Sequence, residues 1–381
     1  MICSSKMCKA TLEQLAYHNL RKHSLIDRAP AGDAFRVIED ICGLNAQGAL
    51  NYSLSLWARV KGLDREFIRD ALREKTLLRS WFMRNTVHVM ALGQAFVARP
   101  ALRESLVQEW NRWTVRTGSK ESPDSWTVHY DEVLTALGEG PLSMSELLDR
   151  YSPASKNPRL ILSRVVREMS LKGLVCNAEP RGPWYHDAEQ TYADVKHWVP
   201  GMDEAEKSGA QETLMTAYLR GYGPATVQDY AYWTGMKVSA ARELLKRIGL
   251  ELAEVEVYGQ KGKLYVPEDT LLDLEHVEVV PSVRLLPKFD ALIMSHRDKT
   301  RFMDEAARRR VFLPTAEVSA TVLVDGRVEG VWVMKKDGDA WSLGVKLFKE
   351  LDEEHIDLLC SEIQGMKEFT GFEIREEISV A

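Results

Sequence analysis

The segment 206–275 constrains the fold more than any other part of the chain. ETLMTAYLRGYG has helical spacing of apolar residues and ends at a glycine. Pro224 or Thr226 then opens VQDYAYWTG, and MKV leads into SAARELLKRIG. The remainder, ELAEVEVYGQKGKLYVP, alternates like a hairpin with a turn at 259–262. Two short helices joined by a glycine-containing turn and followed by a hairpin make a winged helix-turn-helix.

The same order is legible twice upstream. In 1–118, Thr11 can cap a helix through Lys22, Asp33 can start another over 33–42, and Asp64 a third. SWFMRNTVHVM then fits two short extended pieces around Arg84 and Asn85. RTGSKESPDS, over 116–125, is polar and rich in breakers, as a linker is. In 126–200, a helix over 128–137 precedes a capping box of Ser143 and Glu146. A third helix starts near Pro158 and stops at Gly173, and 174–199 suits a wing. From 276 to 381 the pattern turns to strands, with an Asp325-Gly326 hairpin and one amphipathic helix over 352–367. The expected class is α+β: three tandem winged-helix modules and a small C-terminal β-rich domain.

The composition, 45% hydrophobic and 28% charged, is that of a globular protein. No run approaches the roughly 18–20 apolar residues of a membrane helix, and MICSSKMCKATLEQL lacks a signal-peptide core. A cytoplasmic protein without membrane contact is expected. The five cysteines form no C-x-x-C pair and no zinc-ligand spacing, so neither metal nor another cofactor is expected. The net charge of −6 is concentrated at the end: 350–381 carries ten acidic residues against Lys367 and Arg375, leaving the rest slightly positive. Charge therefore neither establishes nor excludes a nucleic acid partner.

Five runs are similar to a known family. GLNAQGALNYSLSLWAR, LLRSWFMRNTVHVM, YLRGYGPATVQDYAYWTGM, LLPKFDALIMSHRDKTR and TVLVDGRVEGVWV resemble, in order, the AlkZ/YcaQ-like winged-helix DNA glycosylases, which excise alkylated bases. The resemblance implies double-stranded, damaged DNA as partner and a monomeric enzyme. The family's active-site tripeptide, Gln-x-Gln or Gln-x-Asp, falls on Asn45, Ala46 and Gln47. Gln47 and Asn45 are thus the catalytic candidates. Arg84 and His88, in MRNTVH, match a family pattern similar to Arg-Gly-Thr-Leu-His, with Asn85 where glycine stands, and the resemblance makes both candidate DNA-binding residues. Asparagine tolerates left-handed backbone better than most residues. Arg297, Lys299 and Arg301, in SHRDKTR, resemble phosphate contacts.

Amides suffice for this chemistry. Alkylation at purine N7 makes the base a cationic leaving group, so strong acid help is unnecessary. A side-chain carbonyl can accept a hydrogen bond from water and aim its dipole at charge developing on the sugar. Asn45 departs from the pattern: one methylene shorter, it reaches about 1.2–1.5 Å less far. Errors near 1 Å can cost on the order of 100-fold in rate. A glycosylase for N7-alkylated or crosslinked bases and a non-enzymatic winged-helix DNA binder, a regulator or lesion binder, therefore both stand on the sequence alone.

Overall fold

The structure, a computed structural model, describes residues 7–116, 123–187, 189–202, 208–258, 262–338 and 340–380. Residues 117–122 of the expected linker and 259–261 of the expected turn lie outside these.

With the segments 1–118, 126–200 and 206–275 named the first, second and third units for reference, local capping signals set the helices of the third. Its first helix, Ala210–Tyr222, ends at Gly223. Thr226 caps Val227–Thr234 in a reciprocal box with Asp229, and Gly235 ends that helix in the left-handed region at φ 82°. Val238–Leu245 follows, then the antiparallel pair Leu252–Val257 and Leu264–Pro267. An unexpected strand, Met7–Ala10, adds to this hairpin in parallel. Behind it the helix Leu12–Lys22 docks on the same unit, where Asn19 donates to the carbonyls of Tyr222 and Gly223 at 3.2 and 3.1 Å. Residues 7–22 thus bond to the third unit, while Ala16 and Leu20 share a core with Leu54 and Trp57.

In the first unit, the helices Ala34–Asp40, Ala49–Trp57 and Phe67–Arg73 precede the hairpin Leu77–Trp81 and Val87–Ala91. Asn85 is left-handed there at φ 55°, as its place in the glycine position suggests, and so is Arg84. A 25-residue helix, Leu92–Arg116, leaves the hairpin and packs on both Pro158–Lys172 and Ala210–Tyr222.

Sheet pairing between units places the candidate site. Among the described residues, one sheet runs in the order Leu44–Asn45, Val87–Ala91, Leu77–Trp81, Val175–Asn177, Thr191–Asp194, Leu142–Ser143. The first three strands come from the first unit and the last three from the second, joined at Arg79 and Asn177. The loop between Asn177 and Thr191 is thereby carried toward the start of Ala49–Trp57. The C-terminal region forms a five-stranded sheet from Val283–Leu286 to Ile374–Val380, with Glu353–Thr370 packed against it. Its core also takes in Ala16, Leu20, Leu54 and Trp57 from the first unit. The whole is a mixed α/β molecule.

Candidate active site

Asn45, Ala46 and Gln47 bridge a strand and a helix. Leu44–Asn45 is a two-residue edge strand, and Ala49–Trp57 begins two residues after Gln47. Between them Gly48 takes φ 107°, a conformation few side chains accept. The tripeptide backbone is tethered at three points. The Ala46 N–H donates to Val87 O at 2.8 Å. The Ala46 carbonyl accepts from Arg79 Nη2 at 3.0 Å, and the Gln47 carbonyl from Asn51 Nδ2 at 2.9 Å. Gln47 itself is exposed, whereas Asn45 is only 8% exposed.

Asn45 lies directly opposite His88 in the antiparallel ladder, and His88 opposite Ser80 on its other side. Directly opposed residues share a face, so these three side chains form one row across the sheet. His88 is buried, and its Nδ1 is 3.0 Å from the Thr86 carbonyl. Burial, with Arg84 nearby, pushes its pKa down to about 3, so the ring is neutral at physiological pH.

A second group of side chains reaches the tripeptide through Arg79. Arg79, almost wholly buried, donates to Asp187 Oδ2 at 3.0 Å and to Gln190 Oε1 at 2.5 Å. Tyr52, in the first turn of Ala49–Trp57, donates its hydroxyl to Asp187 Oδ1 at 3.3 Å. Sequence reasoning missed Arg79, Tyr52 and Asp187. Arg79 left one trace, a charge inside the strand run LLRSW; Asp187 left none.

A family model described as DNA glycosylase AlkZ-like matches residues 38–369. The chain belongs to the AlkZ-like DNA glycosylases. A relative named interstrand DNA cross-link repair glycosylase, from Streptomyces sahachiroi, is 27% identical over 342 residues, covering 85% of this chain and 88% of its own. The solved structure of Streptomyces sahachiroi DNA glycosylase AlkZ superposes with a TM-score of 0.79 at 24% identity, over 98% of this chain and 100% of that one. That likeness shows the fold. As an AlkZ-like glycosylase the protein is a DNA-binding repair enzyme that hydrolyses N-glycosyl bonds, and of the two readings left by the sequence the enzyme stands.

The residues expected to meet DNA separate into two groups. Arg297 is exposed, at a bend where its backbone N–H is held by Asp229 Oδ1 at 2.8 Å. Lys299 and Arg301, expected as phosphate contacts, are instead buried, at 5% and 6% exposure. The Lys299 ammonium donates to the carbonyls of Ile293 and His296 and lies 4.9 Å from the centre of the Tyr232 ring. Arg301 donates to Asn19 Oδ1 at 2.8 Å and Pro224 O at 2.9 Å. Both cations have exchanged water for main-chain and amide oxygens, which fixes the joint between the C-terminal region and the third unit. Arg84 is half-buried and donates to Trp233 O at 3.0 Å, so it ties the first hairpin to the third unit. No helix among the described residues is long and apolar enough to cross a membrane.

Proposed function

We propose that this glycosylase excises N7-alkylated purines, including the joined bases of interstrand cross-links, with the Gln47 carboxamide directing the attacking water. The observation that carries this reading is the contrast within the tripeptide. Its backbone is held at the Ala46 N–H and at two carbonyls, while the Gln47 side chain stands in solvent. A fixed main chain beneath a free amide is what positioning a water requires, because the cost of ordering the group is met before substrate arrives. Asn45, shorter and buried beside neutral His88, shapes the floor of the site. The name of the Streptomyces sahachiroi relative supports cross-links as substrates.

The scaffold for this chemistry is three tandem winged-helix modules with a C-terminal β-rich domain, acting on double-stranded DNA as a monomer. Arg297 is the phosphate contact among the predicted residues, since it is exposed.

The substrate assignment is tested by incubating the purified protein with duplexes carrying one N7-methylguanine or one N7-linked cross-link, then treating with hot alkali. Strand breaks at the lesion are expected for both, with none on undamaged duplex. Tight binding to both lesions without breaks would overturn the assignment.

A further inference from the structure

We propose that Arg79 and Asp187 are a positioning pair: a carboxylate from the second unit locks the bend that presents Gln47. This rests on the assignment of Gln47 above. Asp187 reaches both sides of that residue. Before it, Arg79 spans from Asp187 (Nη2 to Oδ2 3.0 Å, Nη1 to Oδ1 3.4 Å) to the Ala46 carbonyl (3.0 Å). After it, the Tyr52 hydroxyl donates to Asp187 Oδ1 at 3.3 Å, and the Tyr52 N–H caps onto Gly48 O. One carboxylate therefore fixes residues 46 and 52, and the stretch between them contains Gln47 and the permissive Gly48. Without these tethers the Gly48 bend is free to swing, and an error near 1 Å in the amide costs on the order of 100-fold in rate.

Asp187 is itself held by a loop with its own anchors. Arg69 Nη1 donates to Gly182 O at 2.8 Å. Trp184 stacks on Phe372 with ring centres 5.7 Å apart and meets Phe369 edge-on at 5.5 Å, and Tyr185 packs edge-on against Trp341. Aromatic contacts of this kind resist sliding because edge and face carry opposite partial charge. The loop is thereby clasped to the C-terminal region while its Asp187 end enters the site. Three parts of the fold, far apart in sequence, set where the amide points.

The pair acts through Gln47 and touches no reacting atom, and the test uses that property. Single-turnover excision of N7-methylguanine is measured for Asp187→Asn, Arg79→Lys and Tyr52→Phe, each alone and combined with Gln47→Ala, together with Kd for the lesion duplex. Asn keeps an oxygen for the hydrogen bonds but not the charge. Lys cannot span carboxylate and carbonyl together. Tyr52→Phe keeps the packing, which guards against a variant that fails to fold. Asp187→Asn and Arg79→Lys are expected to slow excision about 10–100-fold and Tyr52→Phe severalfold, with Kd within twofold of wild type. Each double variant is expected to be no slower than Gln47→Ala alone. Wild-type rates in Asp187→Asn and Tyr52→Phe beside a slow Gln47→Ala would overturn the positioning alone. So would losses that multiply with that of Gln47→Ala. A Gln47→Ala protein at the wild-type rate would overturn the assignment of Gln47 and the positioning with it.

Discussion

Asp290→Ala should destabilise the protein by about 3–5 kcal/mol, the cost of leaving a buried charge without its partner. Arg59 and Asp290 are both fully buried and meet in a two-pronged contact, Nη1 to Oδ2 at 2.8 Å and Nη2 to Oδ1 at 2.7 Å. Ser55 Oγ and the Leu292 N–H add donors at 2.6 and 2.9 Å. Burial pushes the Asp290 carboxyl up, yet Arg59 and these donors outweigh it and hold the group below the ordinary carboxylate range. The carboxylate is therefore charged, and deleting it strands the Arg59 guanidinium in the interior. The pair joins the end of the helix that follows Gln47 to the C-terminal region, so its loss also loosens the site's footing. Urea unfolding of the variant gives the number. A loss below about 1 kcal/mol would mean that the interior relaxes around the orphaned arginine. Replacing both partners by apolar residues should cost far less than either single change.

Acid should unfold the protein steeply, because several histidines are buried in the neutral form. Burial pushes His18 down to about 4 and His23 and His88 to about 3, and His296 lies well below its ordinary value for the same reason. Unfolded, each takes up a proton near pH 6.5. Between 6.5 and the folded values the unfolded chain holds more protons, so stability rises with pH and is lost as pH falls. Each histidine contributes up to about 1.4 kcal/mol per pH unit in that window. Four together can remove up to about 8 kcal/mol by pH 5, against the roughly 5–15 kcal/mol of a typical protein. Urea midpoints at pH 7.5, 6 and 5 should fall progressively. His23→Phe, which keeps a ring against Tyr222, should flatten the slope by about one proton. Midpoints that stay level down to pH 4.5 would contradict this.

Sequence legibility followed the range of the interactions. The Thr11 and Ser143 caps were readable because each box closes over three residues, while Thr226 stood as one of two possible openings of its helix. The left-handed Asn85 was readable because backbone preference is local. The tripeptide was readable only through the surrounding family resemblance, since Asn-x-Gln alone carries no chemistry. What was hidden is long-range. Met7–Ala10 becomes a strand only beside Leu252–Val257, and Asp187 meets Arg79 across 108 positions. SHRDKTR looks like a cationic surface because the oxygens that bury Lys299 and Arg301 lie on Ile293, His296, Asn19 and Pro224. Charge in a sequence shows that a partner is needed, not whether it is water, phosphate or the chain's own carbonyls.

Central to the proposed function is the idea that an exposed amide on a fixed backbone steers water to the sugar. Single-turnover excision by Gln47→Ala on an N7-methylguanine duplex tests this most directly, with lesion affinity measured alongside. The rate is expected to fall by at least about 100-fold, the scale set by removing one oriented donor or acceptor from a reacting centre, while affinity is retained. Excision by Gln47→Ala at the wild-type rate would contradict it.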